Sequence, residues 1–187
     1  MSSEFQASLR RFRPEKRNRP LQRRPDLELD FIETTKSRPA KLLYDTTVYV
    51  DILQGRFPAH GGLMLRAVEA WHCPVTEAEL AAVVELLDPS HPGTPSVINE
   101  IAAIIDRRPV QRTATPDRDA WREAGLLSGM LARIQNYDKN QRRRVMNDAL
   151  LYVTARRYEC TLLTRDLTDF DFLQQLNPPG RVMFYRI

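Results

Sequence analysis

Short apolar runs that alternate with longer helical patterns constrain the fold of this chain more than any other feature of its sequence. KLLY at residues 41–44 and CTLLT at 160–164 are typical of buried strands, and RVMFYRI at 181–187 predicts a terminal strand. Strands that alternate with helices form a mainly parallel sheet whose two faces are both covered by helices. The sequence therefore predicts an α/β fold, a three-layer α/β/α sandwich with a mainly parallel central sheet.

The segments between these strands have apolar residues at helical spacing. Thr76 followed by Glu79 matches a capping box, so Thr76 is the predicted start of one helix. HCPV at 72–75 is interpreted as a further short strand, and TTVYVDIL at 46–53 has helical spacing although its Val and Tyr also suit a strand. Helices are predicted over residues 62–71, 77–87, 95–107, 116–135, 141–157 and 169–176.

Length and charge indicate one globular domain that follows a basic segment. The chain has 187 residues, of which 42% are hydrophobic, enough for one core and too few for two large ones. Residues 1–40 hold ten Lys/Arg and six Asp/Glu, whereas residues 41–187 hold 18 of each, so the whole net charge of +4 lies in the N-terminal part. We divide the chain into a flexible basic tail over 1–38 and a domain over 39–187. Such a tail attracts polyanions through phosphate contacts, or simply keeps the protein in solution.

Cysteine content and hydropathy indicate a cytoplasmic protein without a membrane segment. Cys73 and Cys160 lie far apart beside apolar runs, and we expect two buried, reduced thiols. No apolar run approaches the roughly 20 residues that a membrane helix requires.

Four carboxylates fall where an α/β sheet usually binds its ligands, beyond the carboxyl ends of the strands. Asp45 follows the first predicted strand and Asp166 follows CTLLT. Glu79 lies at the start of the helix after the predicted strand at 72–75, and Asp148 lies near the start of another helix. We therefore expect these acids, from distant parts of the chain, to converge on one edge of the sheet.

A cluster of this kind requires protons or cations. Two carboxylates about 4 Å apart repel each other by roughly 4 kcal/mol at an effective dielectric constant of 20. Hard oxygen ligands select Mg²⁺ or Mn²⁺. Such an ion lowers the pKa of bound water and stabilises charge on a phosphoryl group, which is the chemistry of phosphodiester hydrolysis.

Each acid also has a purely structural alternative. Asp45 is a candidate cap for the following helix, and Glu79 is a candidate capping-box glutamate. The other two acids are candidates for ion pairs with nearby arginines, such as Arg144 and Arg165.

The motifs around the acids resemble those of PIN domains, and most of all those of the VapC-type toxins of bacterial toxin–antitoxin pairs. LLYDTTVYVDIL resembles the opening motif, with hydrophobic residues before Asp-Thr-Asn, and VTEAEL resembles the stretch that carries the second acid. NDALLYVTA and LLTRDLTDFDFL resemble the third and closing motifs and are the most specific. The resemblance covers residues 41–187, and the main departure is Thr47, where the family usually has asparagine.

The resemblance implies a catalytic site with a metal. The metal ligands would be the three core acids Asp45, Glu79 and Asp148, and a fourth acid. Asp166 is the first choice for this fourth position, and Asp169 is the second. Thr164 would orient a ligand or water through its hydroxyl group. The implied catalytic residues are Asp45, Glu79, Asp148, Asp166 and Thr164.

The function that follows from the resemblance is a metal-dependent endoribonuclease. The acids would hold Mg²⁺, with Mn²⁺ as an alternative, and water would hydrolyse RNA to leave 5′-phosphate and 3′-hydroxyl ends. Arg142, Arg143, Arg144 and Arg165 would position the RNA backbone. The family also implies a cognate antitoxin that blocks the site, and a homodimer. The alternative is a non-catalytic RNA-binding or interaction module on the same fold.

Overall fold

A parallel four-stranded sheet forms the centre of the molecule. The computed structural model describes residues 4–35 and 38–187. The strands lie in the order β2-β1-β3-β4, and every neighbouring pair is parallel. This arrangement confirms the predicted α/β fold with a parallel sheet. The four strands are β1 (Lys41–Tyr44), β2 (Glu69–Trp71), β3 (Thr161–Thr164) and β4 (Arg181–Phe184).

Helices cover both faces of this sheet. Within the described ranges, the α-helices are α1 (Glu4–Phe12), α2 (Thr46–Leu53), α3 (Ala59–Ala67), α4 (Pro74–Leu86), α5 (Thr94–Asp106), α6 (Arg118–Ile134), α7 (Lys139–Arg157) and α8 (Asp169–Leu176). None of these helices combines the length and apolar character that crossing a membrane requires.

The two central strands separate two hydrophobic cores. Leu42 and Leu43 are both fully buried, because neighbouring residues of a strand point to opposite faces and each face carries helices. Leu43 and Leu162 belong to the core with α6, α7 and α8. Leu42 and Leu163 belong to the core with α2, α4 and α5. The alternation accounts for the unbroken apolar runs in the sequence.

The predicted boundaries of the helix and the strand around β2 are wrong. Helix α3 ends at Ala67, and the next strand is Glu69–Trp71, not HCPV at 72–75. The strand forms there because Leu42 of β1 pairs with Ala70, a tertiary partner that local periodicity cannot reveal. His72 forms only an isolated bridge with Thr113.

The predicted cap at Thr76 is also wrong. Helix α4 begins at Pro74, because proline suits the first helical position, where its missing N–H is not needed. Thr76 is fully buried inside the helix and donates a hydrogen bond to the carbonyl oxygen of Tyr44. Helix α7 begins at Lys139, and its true capping box joins Asp138 and Gln141.

The N-terminal segment lies against the domain over its described residues, 4–35. Phe12 is 1% exposed and belongs to the same core as α6 and α7. Phe31 forms a parallel bridge with Phe184 beside β4. The sequence analysis expected a flexible tail here, because widely spaced apolar residues give no periodic signal. The division of the chain after residue 38 stays a prediction.

Both cysteines, Cys73 and Cys160, are buried and free of disulfide bonds, as predicted. Burial raises the pKa of each thiol to about 11. They are packing residues of the core with α6 and α7.

Candidate metal centre at the carboxyl edge of the sheet

Carboxylates from four elements meet beyond the carboxyl ends of the two central strands. Asp45 follows β1, and Asp166 lies two residues after β3. Asp148 comes from the middle of α7, and Asp169 is the first residue of α8. One oxygen from each of Asp148, Asp166 and Asp169 lies within 4.8 Å of the other two. We call these three residues the aspartate cluster.

Asp45 is joined to this cluster through Thr164. The Thr164 hydroxyl donates a hydrogen bond to Asp45 Oδ2 over 2.7 Å and accepts one from the backbone N–H of Asp166 over 3.0 Å. Asp45 also accepts hydrogen bonds from the Thr46 N–H and the Thr47 hydroxyl, both at 2.7 Å. Burial raises the pKa of Asp45, an effect that these hydrogen bonds oppose. The Thr164 hydroxyl therefore links Asp45, which follows β1, to the backbone of Asp166, which follows β3.

Glu79 enters the site from α4, where it lies in the second turn of the helix. Its Oε1 accepts a hydrogen bond of 2.8 Å from Asn147 Nδ2, and its Oε2 accepts one from the Thr46 hydroxyl. Both donors adjoin another acid of the site, Asp148 or Asp45. Glu79 is therefore oriented toward the other acids by their own sequence neighbours.

Asp148 is the least compensated acid of the site. Its Oδ2 is buried and has no hydrogen-bond partner among the described residues. Burial raises its pKa well above the ordinary value, and the charges of Asp45, Asp166, Asp169 and Glu79 raise it further. The Asp148 carboxylate thus lies amid like charges, and its buried Oδ2 has no hydrogen-bond donor in the described part of the chain.

The other two members of the cluster have partial support. Asp166 Oδ1 accepts hydrogen bonds from the N–H groups of Thr168 and Asp169 and so caps the start of α8. Asp169 accepts hydrogen bonds from the Tyr137 hydroxyl and from Arg144 Nη2. Neither arrangement supplies Asp148 with a partner.

A second buried acid, Asp51, lies beside this site and is fully paired. Its Oδ2 accepts hydrogen bonds of 2.7 Å from Arg165 Nε and from the Tyr185 hydroxyl, and its Oδ1 accepts one of 2.9 Å from Arg56. Asp51 holds Arg165 in place, and the N–H of Arg165 in turn donates to the Thr47 hydroxyl. This network supports the turn between β3 and Asp166.

The structural alternatives for the acids have different outcomes. Asp45 does cap α2, as one alternative predicted, while it also contacts Thr164. Glu79 is not a capping-box residue, because α4 begins at Pro74. The predicted arginine pairings are wrong, because Arg144 pairs with Asp169 and Arg165 pairs with Asp51.

Three further residues contribute to the site and were missed by the sequence analysis. Asn147 and Thr46 orient Glu79, and Tyr137 orients Asp169. The first two lie directly beside acids in the quoted motifs, which is the signal that could have found them. Tyr137 precedes α7 and carries no local signal, because its contact with Asp169 exists only in the folded chain.

The residues present fit a hard divalent cation. The potential ligands are all carboxylate oxygens, the donor type that Mg²⁺ and Mn²⁺ prefer. Asp148 Oδ2 is buried and has no hydrogen-bond partner in residues 4–35 and 38–187, and a cation there would compensate both its burial and the neighbouring charges. The aspartate cluster, together with Asp45 and Glu79, is thus a candidate metal centre.

Comparison with known proteins finds similarity in structure but not in sequence. No family model matches the chain, and no curated protein matches it. A VapBC2 structure from Rickettsia felis, bound to a DNA fragment from its promoter, matches with a TM-score of 0.56 and 15% identity. That match covers 78% of this chain and 99% of the other chain.

Two other solved structures have the same fold. A FitAcB structure from Neisseria gonorrhoeae matches with a TM-score of 0.54 and 17% identity, over 78% of this chain and 96% of that chain. A VapBC-5 structure from Mycobacterium tuberculosis, a member of the VapBC family of toxin–antitoxin systems, matches with a TM-score of 0.50 and 21% identity. It covers 80% of this chain and 100% of that chain. These likenesses show the fold, and they fit the PIN-toxin resemblance of the motifs.

Proposed function

We propose that this protein is a metal-dependent endoribonuclease, the toxin of a toxin–antitoxin pair. The observation that carries the proposal is Asp148, a half-buried carboxylate amid four other acids, whose buried Oδ2 has no partner among the described residues. A protein that needed this region only for stability would gain from a neutral residue at the position. Strongly perturbed carboxylates at the ligand-binding edge of a sheet are typical of functional sites.

The proposed metal ligands are Asp45, Glu79, Asp148 and Asp166, with Asp169 as the second choice for the fourth. A bound Mg²⁺ would supply positive charge that makes water a stronger nucleophile and stabilises the charge on the scissile phosphate. Asp169 is already held by Tyr137 and Arg144, whereas Asp166 uses only its Oδ1 for hydrogen bonds within the described chain, which favours Asp166.

The remaining residues position these ligands. The Thr164 hydroxyl fixes Asp45 relative to the Asp166 backbone, and Asn147 fixes Glu79. Ligands held by outer contacts of this kind require little rearrangement when a cation binds. Arg142 and Arg143 are exposed at the start of α7 and are proposed to contact RNA phosphates beside the acids.

The toxin role is supported by the type of structure that shares this fold. The matched structures from Rickettsia felis and Mycobacterium tuberculosis are VapBC structures, and the latter is described as a toxin–antitoxin family member. We propose that this chain likewise binds a cognate antitoxin and forms a homodimer. Copurification with the product of a neighbouring gene, and the mass of the purified protein in solution, test these two statements separately.

Cleavage of total bacterial RNA by the purified full-length protein tests the enzymatic function. We expect discrete cuts in the presence of Mg²⁺, no cuts with a chelator, and restored cuts when Mg²⁺ or Mn²⁺ is added back. Asp148→Asn should abolish cleavage. Asp119→Asn is the matched control, because Asp119 is a partly exposed acid of α6 that forms an ion pair with Arg122 and lies outside the site.

Mapping of the cut ends would identify the substrate and the chemistry, with 5′-phosphate and 3′-hydroxyl ends expected. Absence of cleavage, together with RNA binding that responds to neither Mg²⁺ nor Asp148→Asn, would contradict the proposal. It would instead favour the non-catalytic RNA-binding module.

A further inference from the structure

The N-terminal segment builds a groove on the surface of the domain. The groove has a volume of about 560 Å³, and its apolar floor consists of Phe12, Leu21 and Ile134, the last residue of α6. Its charged lining comes entirely from the segment that carries the net charge of the chain. These lining residues are Arg11, Arg13, Lys16, Arg17 and Arg19, and we call the site the N-terminal basic groove.

Around the groove, the segment is held in place through its backbone and through the buried side chain of Phe12. Arg133 Nη2 donates hydrogen bonds to the carbonyl oxygens of Pro14 and Arg17, at 2.9 and 2.8 Å. Gln135 Nε2 donates to the carbonyl oxygen of Leu21 at 3.0 Å. Burial of Phe12 contributes about 2–3 kcal/mol to this attachment. These contacts fix the path of the segment through its backbone and through Phe12.

Two sets of basic side chains in the segment differ in their contacts with the domain. Arg11 pairs with Glu123, and Arg24 pairs with the fully buried Asp171, so these two fasten the segment to the domain. Arg13, Lys16 and Arg19, by contrast, are exposed and have no acidic partner within the described ranges. Three neighbouring cations repel one another, and an extended polyanion would relieve this repulsion.

A chain of contacts connects the groove with the aspartate cluster. Arg133, which holds the segment, also lines a neighbouring depression with Arg142. Arg142 Nε donates a hydrogen bond to the carbonyl oxygen of Tyr137, and the Tyr137 hydroxyl contacts Asp169. The end of α6 and the start of α7 therefore connect the groove to the acids with positively charged side chains.

We propose that the N-terminal basic groove binds the phosphate backbone of the single-stranded RNA whose scissile bond lies at the aspartate cluster. A basic groove beside the chemistry tracks a nucleic-acid backbone without reading its sequence. This inference rests on the proposed function, because it extends the substrate contact of the same site. It gives the N-terminal segment a role in holding long substrates, separate from the hydrolysis itself.

Equilibrium binding tests the groove without requiring cleavage. The probe is a fluorescent single-stranded RNA of roughly 20 nucleotides, longer than most single-strand sites, titrated with full-length Asp148→Asn protein in chelator. The groove variant adds Arg13→Gln, Lys16→Gln and Arg19→Gln. The matched control adds Arg66→Gln, Arg107→Gln and Arg118→Gln, which remove equal charge from exposed positions on α3, after α5 and at the far end of α6.

The expected result is a change in salt dependence that only the groove variant shows. Each lost phosphate contact lowers the slope of log K against log salt by about 0.7 for a single strand, so three contacts lower it by about 2. Affinity at 0.15 M salt should fall roughly fourfold per contact, or about fiftyfold for three. Equal salt slopes and equal RNA affinities for the groove and control variants would overturn the proposal. The same result is expected if the groove binds an acidic protein and not RNA. Unfolding midpoints confirm that both variants are folded.

Cleavage by proteins with an intact Asp148 separates this inference from the proposed function. The groove variant should cut the long RNA slowly at low substrate concentration, yet cut an RNA too short to reach the groove at the wild-type rate. Equal cutting of the long RNA by wild type and groove variant would contradict the proposed binding of RNA in the N-terminal basic groove. Failure of the wild type to cut either RNA would contradict the nuclease function. The binding measurement would still show whether the groove binds RNA.

Discussion

Asp51 and Asp148 are two aspartates near the carboxyl edge of the sheet that each hold a buried carboxylate oxygen, but their surroundings are opposite. Asp51 is fully buried and accepts hydrogen bonds from Arg165, Arg56 and Tyr185. Asp148 faces other acids, and its Oδ2 lacks a partner among the described residues. Its pKa is raised by burial first and by the neighbouring carboxylates second.

The difference separates a structural acid from a candidate functional one. A buried charge with good partners can be retained for stability, whereas one amid like charges destabilises the fold unless a ligand compensates it. The first motif of the sequence, LLYDTTVYVDIL, contributes one residue to each environment, Asp45 and Asp51. Residue type alone did not distinguish them, and the presence or absence of arginine partners does.

The largest effect should be the loss of cleavage in Asp148→Asn. Removing this charge leaves the remaining acids with a weaker hold on a cation, and we expect cleavage to fall by about 10³-fold, the upper range for one electrostatic group. The measurement is the initial rate on one defined RNA at saturating Mg²⁺. A rate within tenfold of wild type would remove Asp148 from the proposed ligands.

The next effect should be stabilisation by the metal itself. A cation that binds only the folded protein stabilises it by about 2.7 kcal/mol at a concentration 100 times its Kd. Thermal unfolding of the wild type should therefore shift upward with Mg²⁺ or Mn²⁺, and that of Asp148→Asn should not. An equal shift in both proteins would indicate that the ion binds elsewhere.

The two acids should respond to neutralisation with opposite changes in stability. Asp51→Asn removes charge from three donors, and we expect the free energy of unfolding to fall by about 2 kcal/mol. The estimate is modest because Arg165 and Arg56, at 36% and 47% side-chain exposure, remain partly hydrated. Asp148→Asn in chelator should unfold at equal or higher urea concentration than wild type. A loss of stability in Asp148→Asn as large as in Asp51→Asn would make the two acids equivalent.

The pH dependence of stability should also distinguish Asp148. Its pKa is raised above 3.8 in the folded protein, so between 3.8 and the raised value the folded state binds a proton that the unfolded state lacks. The contribution of Asp148 to stability is therefore greatest below this range and falls as pH rises through it, by at most about 1.4 kcal/mol per pH unit. Urea unfolding in chelator should show the excess stability of Asp148→Asn growing with pH. Parallel curves for the two proteins would contradict the shift.

Much of the fold was predictable because its signals are local. The central strands are continuous apolar runs, since both of their faces are buried. The two capping patterns show the limit of such signals: Asp138 and Gln141 form a capping box, whereas Thr76 and Glu79 match the pattern but lie inside α4. The choice depends on Pro74 and on the contact of Thr76 with the β1 backbone, which exists only after folding.

The candidate site was predictable in its acids but not in its supporting contacts. Strand ends and motif resemblance indicated the carboxylates, and the structure brings them to one edge. Arginine pairing could not be predicted, because Arg165 adjoins Asp166 in sequence yet contacts Asp51, which lies over a hundred residues away (114). Similarly, nothing in the composition of the N-terminal segment reveals that Phe12 reaches the core.

The smallest predicted effect concerns Thr47, the residue that joins the two environments. Its hydroxyl donates to Asp45 Oδ2 over 2.7 Å and accepts from the N–H of Arg165, the partner of Asp51, over 3.2 Å. Thr47→Val removes both hydrogen bonds at nearly constant shape and should cost about 1 kcal/mol, whereas Thr47→Ser retains them. If the hydroxyl couples the two sites, Thr47→Val combined with Asp51→Asn should deviate from additivity by at least about 0.5 kcal/mol in urea unfolding. Strict additivity would mean that the paired acid stabilises the fold without positioning the unpaired ones.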